Sequence, residues 1–229
     1  MLVTEWFHQT QGANFAGQAF ELIGAQPDGY GTRFSVRGIA GNYPDLWMPI
    51  IGEHQAENAA TAIAAVEMFL GERAIADEVL RSALADSLSP GRLQVVSKEP
   101  LIVLDGAHNP AGLRSLKRSL QWHFKPERTF GLVAMLADKD IDSAAAVLAE
   151  TFDELIVTQV EGPRALPASE LASALEDKGG NVVLVESSIS SAYEKASRLA
   201  GEDAMFVTGS LYLVGAVLEM LQEDLHEED

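Results

Sequence analysis

The spacing of apolar positions changes character along the chain. In residues 1–50 they alternate with polar ones, and GTRFSVRG (31–38) and DLWMPII (45–51) read as strands, with QPDGYG (26–31) as a hairpin turn. From Gly52 the period lengthens. In HQAENAATAIAAVEMFL, Ala59, Ile63, Val66 and Phe69/Leu70 recur at i+3/i+4, predicting a helix whose alanine-rich face admits a close neighbour. A second helix is expected over 75–86, and SLSPGR (87–92) reads as a linker. A few strands and two helices leave one sheet face uncovered. Residues 1–88 are therefore expected to be the later part of a domain, with Trp47, Met48, Ile50 and Ile51 exposed and open to self-association.

Beyond Pro90 the pattern becomes regular. LIVL (101–104), FGLVAML (130–136), ELIVTQV (154–160), NVVLVES (181–187) and AMFVT (204–208) are short apolar runs separated by helical periods. Leu113, Leu116 and Leu120 mark the first helix, and Ile141, Ala144, Ala145 and Leu148 the next. Leu171 and Leu175 follow, then Ile189, Ala192, Ala196 and Leu199, and finally Leu211, Val214, Leu218 and Leu221. Such alternation requires parallel strands with right-handed crossovers and helices on both faces. The fold class is α/β, a Rossmann-like and mostly parallel sheet over residues 89–229, with RLQVVS (92–97) as an added edge strand. The acidic end QEDLHEED (222–229) reads as a fraying helix terminus.

Composition narrows the function. The 229 residues carry 16 Lys+Arg against 34 Asp+Glu, a net charge of -18 that repels phosphate backbones and anionic membranes. Nucleic-acid binding is therefore not expected. Cysteine is absent, which removes thiol catalysis and Cys-ligated zinc. No apolar run reaches the ~18–20 residues of a membrane span. The start, MLVTEWFHQTQ, lacks the basic and apolar regions of a signal peptide, so a soluble cytoplasmic protein is expected.

Polar residues gather where strands end and helices begin, which is where open α/β sheets bind ligands. DGAHNP (105–110) follows LIVL directly. Asn109 and Pro110 are explained as helix cap and first helical residue. Asp105 and His108 are not, and a carboxylate and an imidazole there suit a nucleotide. GEHQAEN (52–58) opens a helix with His54, Gln55 and Asn58 within reach of one point, a pattern that a solvated helix start would also give. In PGRLQ (90–94), the planar fork of Arg92 suits a phosphate. LADKD (136–140) and TGSLYLVG (208–215) add Asp138, Lys139 and Ser210, although Asp140 and Ser210 also read as plain caps. No Gly-Lys dipeptide, G-x-G-x-x-G, HExxH or G-x-S-x-G occurs. The histidines at 8, 54, 108, 123 and 226 lack metal-ligand spacing, and His123 and His226 read as solvated, so no metal site is expected within the chain.

In their order, GEHQAENAATAIAA, PGRLQ, LDGAHNPAG, ADKD and TGSLYLVG resemble the C-terminal half of folylpolyglutamate synthase/dihydrofolate synthase, in the Mur ligase superfamily. The resemblance covers roughly residues 14–220. It implies an ATP-dependent, ADP-forming ligase that joins glutamate to a folate or dihydropteroate carboxylate through an acyl phosphate. It also implies residues 1–88 as the end of a central ATPase domain and 89–229 as the glutamate-ligase domain. Carried over by motif, Asn58 contacts the adenine side of ATP, Arg92 its phosphates, and Asp105 the nucleotide. His108 lies near nucleotide and glutamate as the catalytic candidate, while Ser210, Lys139 and Asp138 border the glutamate. The family's phosphate loop and the Mg2+ ligands belong to an N-terminal portion absent from this sequence, so the chain alone is expected to be inactive. Two alternatives stay open: a truncated paralogue serving as a non-catalytic nucleotide-binding or regulatory module, and a fragment of another Mur-type ligase.

Overall fold

The computed structural model describes Gly17 and residues 19–227, with side chains as far as Glu223. The segment MLVTEWFHQTQ, with His8, and the side chains of the acidic end, with His226, lie outside the described residues. The chain divides into two compact units, Met1–Leu88 and Ser89–Asp229.

In the first unit, β1 (Glu21–Asp28), β2 (Gly31–Arg37) and β3 (Asn42–Met48) form an antiparallel sheet in that order. The expected turn at 26–31 is shorter than the sequence suggested. Strand β1 runs to Asp28 and pairs Asp28 with Gly31, leaving Gly29 and Tyr30 as the turn. Its residues are mostly exposed, so no apolar alternation announced it; pairing with β2 makes it a strand. Helix α1 (Glu53–Phe69) lays Ala56, Ala60, Ile63 and Ala64 over Phe34, Val36, Tyr43, Leu46 and Met48, and Leu80 of α2 (Asp77–Ala85) completes the cluster. The sheet face is thus covered from within the unit. The expectation of exposure at Trp47, Met48, Ile50 and Ile51 is corrected accordingly: Met48 and Ile51 are buried, and the other two are half-buried. Trp47 folds over the β1–β2 turn, its indole N–H donating to the Asp28 carbonyl at 3.4 Å. Exposed apolar side chains lie instead near the end of α1, where Phe69 is 91% exposed beside Val66 and Leu70.

One buried carboxylate fastens this unit. Glu67 of α1 is fully buried; it accepts the Tyr43 hydroxyl at 2.6 Å and the Ile39 amide at 2.5 Å. The Tyr43 oxygen in turn accepts the Ile75 amide at 2.8 Å, tying in the α1–α2 connection. A Cβ at Gly38 would sit 2.4 Å from a Glu67 oxygen, so only glycine leaves room. Removing the carboxylate strands a buried hydroxyl and amide and opens a cavity. Glu67→Ala is therefore expected to lower stability by about 3 kcal/mol, and Tyr43→Phe by about 1–2. Urea unfolding followed by tryptophan fluorescence checks both, and a Glu67→Ala loss below about 0.5 kcal/mol would refute the network.

The second unit holds six strands in the order β4-β5-β9-β6-β7-β8: β4 (Gln94–Lys98), β5 (Leu101–Leu104), β6 (Thr129–Val133), β7 (Glu154–Val157), β8 (Val182–Val185) and β9 (Ala204–Thr208). Strand β4 pairs antiparallel with β5 at the edge, and the remaining pairs are parallel. The apolar runs are strands because both sheet faces are covered. Ile102, Leu104, Phe130, Leu132, Met205 and Val207 pack against α6 (Ile189–Ala200) and α7 (Leu211–Glu227). On the other side lie α3 (Pro110–Ser119), α4 (Ile141–Ala149) and α5 (Ala168–Asp177), packed in succession. A π-helical turn, Leu120–Phe124, extends α3 and stacks Phe124 edge-on against Phe206, 5.9 Å between centroids. The histidine of that turn departs from its reading as solvated: His123 is half-buried, its ring 4.9 Å from that of Phe124. The helix that follows β5, α3, packs on one face, and the helix that follows β9, α7, packs on the other. Adjacent strands whose connections diverge open a crevice beyond their carboxyl ends.

Candidate functional site

The crevice is built from three loops that bond to one another. Asp105 leaves β5 still paired, its amide donating to the Val207 carbonyl at 2.9 Å. Its carboxylate is buried and accepts two backbone amides, Leu93 at 3.0 Å and Ala107 at 2.9 Å. The Gly106 amide donates to the Gly91 carbonyl at 2.7 Å. Asp105 and Gly106 thus clamp the PGRLQ segment on either side of Arg92, whose own side chain is exposed. Burial pushes the Asp105 carboxyl above the ordinary aspartate range; the two amides and the nearby Arg92 and His108 pull it back.

His108 is half-buried, with Nδ1 2.8 Å from the Gly106 carbonyl. A carbonyl only accepts, so Nδ1 carries a proton, and in the neutral ring Nε2 is the acceptor. Asn109 caps α3, accepting the Gly112 amide at 2.8 Å, and Pro110 is its first residue.

The loop leaving β9 locks onto this one. The Ala107 carbonyl accepts the Gly209 amide at 2.9 Å and the Thr208 hydroxyl at 3.4 Å. Gly209 has φ +96°, and a Cβ there would lie 2.4 Å from the Ala134 carbonyl, so this turn between two loops admits only glycine. Ser210 follows, 2% exposed, its Oγ accepting the Tyr212 amide at 3.1 Å in the first turn of α7. After β6, Asp140 caps α4 by accepting the Ser143 amide at 3.1 Å. Asp138 and Lys139 precede it, and Lys139 finds no side-chain partner among the described residues. Arg92, Asp105, His108, Asp138, Lys139 and Ser210 therefore all stand at the carboxyl edge of one sheet.

Asn58 belongs to the first unit. The buried Thr32 hydroxyl accepts the Gly52 amide at 3.2 Å and donates to the Ile50 carbonyl at 2.7 Å, fixing the entry to α1. There the Asn58 amide donates to Gln55 Oε1 at 3.1 Å, and the Gln55 amide donates to His54 Nε2 at 3.0 Å. The three polar side chains form one chain along the first turns of the helix.

Sequence reasoning missed Arg164. In the long connection after β7, Ala165 forms a β-bridge with Leu136 of the loop after β6. The Ala137 amide donates to the Arg164 carbonyl at 2.9 Å, and the Leu166 amide to the Met135 carbonyl at 3.1 Å. Arg164 donates to the Tyr212 hydroxyl at 3.1 Å and faces the Asp138 carboxylate at 3.6 Å. An arginine between two prolines (GPRALP) just past a strand was the available signal. One cavity, about 550 Å3, opens at the opposite edge, among Lys98, Pro100, Phe124 and Arg128. A second, about 460 Å3, reaches the carboxyl edge at Tyr212, between Gln159 and Ser188.

The profile of Mur ligase, glutamate ligase domain, matches residues 91–211, which take in the loops after β5, β6, β7 and β9 and leave out the helix start that carries Asn58. The chain belongs to the Mur ligase family. It is similar to the dihydrofolate synthase/folylpolyglutamate synthase of Mycobacterium tuberculosis, at 32% identity over 85% of this chain and 44% of that protein. The folylpolyglutamate synthase of Lacticaseibacillus casei is 33% identical over 88% of this chain and 46% of its own. The solved M. tuberculosis folylpolyglutamate synthase complexed with ADP and AMPPCP superposes with a TM-score of 0.89 at 31% identity, across 96% of this chain and 52% of that one. This Mur ligase chain thus spans about half the length of the relatives it matches. Among the described residues no group of three or more His, Asp or Glu side chains gathers to hold a metal ion, and no helix is long and apolar enough to cross a membrane.

Proposed function

We propose that the chain is the nucleotide- and glutamate-binding portion of an ATP-dependent, ADP-forming amide ligase that adds glutamate to a folate or dihydropteroate carboxylate. The observation that carries this reading is the mutual locking of DGAHNP and TGSLY at the switch point of the sheet. It brings a buried carboxylate, an imidazole and a helix N-terminus to one crevice. Residues 89–229 form the glutamate-ligase domain, and residues 1–88 the end of the ATP-binding domain, with Asn58 on the adenine side.

The chemistry assigns each group a task. Arg92, held outward between the clamped Gly91 carbonyl and Leu93 amide, takes the nucleotide phosphates, and Asp105 fixes the loop that presents it. The first turn of α7 behind Ser210 offers free amides to the amino acid's α-carboxylate. Lys139 and Asp138 border the same crevice. His108 is the catalytic candidate: with Nδ1–H spent on Gly106, Nε2 can take a proton from the incoming ammonium, freeing the lone pair that attacks the acyl phosphate. Among the described residues no side-chain cluster forms a Mg2+ site, and on this reading the ion's ligands lie mostly in another portion of the ligase. The setting is the cytoplasm, where ATP and glutamate are abundant. Association through the first unit would use the exposed Val66, Phe69 and Leu70.

Titrating ADP into the isotope-labelled chain tests the reading. Amide shifts are expected at Arg92, Asp105–His108 and Gly52–Asn58. Shifts confined to the opposite edge, around Lys98 and Arg128, would overturn it.

A further inference from the structure

We infer that Arg164 is the specificity residue of the amino-acid subsite, binding the side-chain carboxylate of a dicarboxylic amino acid while Asp138 and Tyr212 hold its guanidinium in place. The inference rests on the glutamate reading above and names a residue which that reading does not use. Its backbone is fixed by the two hydrogen bonds that zip the β7–α5 connection to the loop after β6. Its side chain is fixed by two more groups, one from each flanking element: the Tyr212 hydroxyl at 3.1 Å and the Asp138 carboxylate at 3.6 Å. Tyr212 is itself anchored, since its amide donates to the buried Ser210 Oγ. Arg164 therefore stands beside the helix turn that would hold an amino acid's α-carboxylate.

Its partners leave it capacity. A guanidinium has five N–H donors, and one makes a hydrogen bond here. Asp138, at 3.6 Å, is close enough to steer the cation and too far to lock it in a two-point fork. The Arg164 side chain stays 56% exposed, and apart from the Tyr212 bond its N–H groups make no hydrogen bond among the described residues, Nη1 only facing Asp138 at ion-pair distance. In a chain of net charge -18, such a cation at the carboxyl edge is where an external carboxylate is least repelled. The planar fork accepts a carboxylate in two parallel bonds, which a neutral amide cannot reproduce. Asp138 then acts as a positioning residue and does not touch the substrate carboxylate, which its own charge would repel.

The test is a titration of the 229-residue chain with L-glutamate and with L-glutamine, read from amide shifts near Ser210. The wild type is expected to bind glutamate about 10-fold more tightly than glutamine. In Arg164→Met, glutamate should weaken about 10-fold to the glutamine value, with glutamine unchanged. Arg164→Lys, which keeps the charge and loses the fork, should recover only part of the preference. An exposed residue tolerates these changes, and an unaltered spectrum in the absence of ligand confirms the fold. Glutamate preference surviving in Arg164→Met would overturn this inference and leave the glutamate reading standing. Failure of the wild type to bind either amino acid at tens of millimolar would sink both.

Discussion

Given ATP, magnesium, glutamate and a dihydropteroate or tetrahydrofolate acceptor, the purified 229-residue chain is expected to release no ADP above background. Transfer of a phosphoryl group rests on a cradle of donors around the β- and γ-phosphates and on cations that neutralise charge as it moves. Each preorganised donor withdrawn from such a site costs about 10²–10³-fold in rate. This sequence has no Gly-Lys dipeptide for a phosphate loop, and its described residues gather no metal-holding cluster. Several contributions are missing together, so the product of their losses falls below detection. Supplying in trans a polypeptide that carries a phosphate loop and magnesium ligands should restore turnover, and His108→Ala should abolish what is restored. Ligase-level turnover by the chain alone, lost in Asp105→Ala, would show that the phosphoryl-transfer machinery had been assigned to the wrong part of the protein.

What could be read before the structure depended on how each element is stabilised. The strands of the second unit are legible because a parallel sheet with helices on both faces buries short runs on both sides, as in AMFVT throughout and LIVL after its first residue. The loop residues were legible because polar side chains directly after such runs have no packing role. Strand β1 was hidden for the opposite reason. Gly24 and Pro27 interrupt it, few of its side chains are buried, and its hydrogen bonds to β2 carry it. The fate of Trp47 and Met48 was misjudged because their cover comes from α1 and from the turn before β2, contacts set by tertiary folding. Arg164 offered only the faint signal of an arginine between prolines past a strand, because its role exists only once β6 and β7 lie side by side and their loops are zipped together. Cysteine content, charge and motif order carry no information about that register.

Asp105 shows how stability and function pull apart within the site, and its removal should be felt in both. Asp105→Ala leaves the buried Leu93 and Ala107 amides without acceptors. Each such group costs about 1–3 kcal/mol, partly offset because a poorly hydrated carboxylate is no longer buried. A net loss of about 2 kcal/mol is expected, seen as a fall of about 4–8 °C in Tm. The PGRLQ clamp should loosen with it, so ADP affinity should drop by about 10-fold through Arg92 even though the arginine is unchanged. The pH dependence has a definite sign. Burial raises the Asp105 carboxyl in the folded chain above its ordinary 3.8, so the folded state binds this proton more tightly than the unfolded one. The stability that Asp105 contributes is then fully present below 3.8 and declines as pH rises through the window up to the raised value. The urea midpoint of wild type, measured relative to that of Asp105→Asn from pH 3.5 to 7, should therefore fall as pH rises. A wild-type midpoint that rises relative to Asp105→Asn instead would mean that the amides and Arg92 outweigh burial, and that the loop is held by an ordinary, stabilising carboxylate.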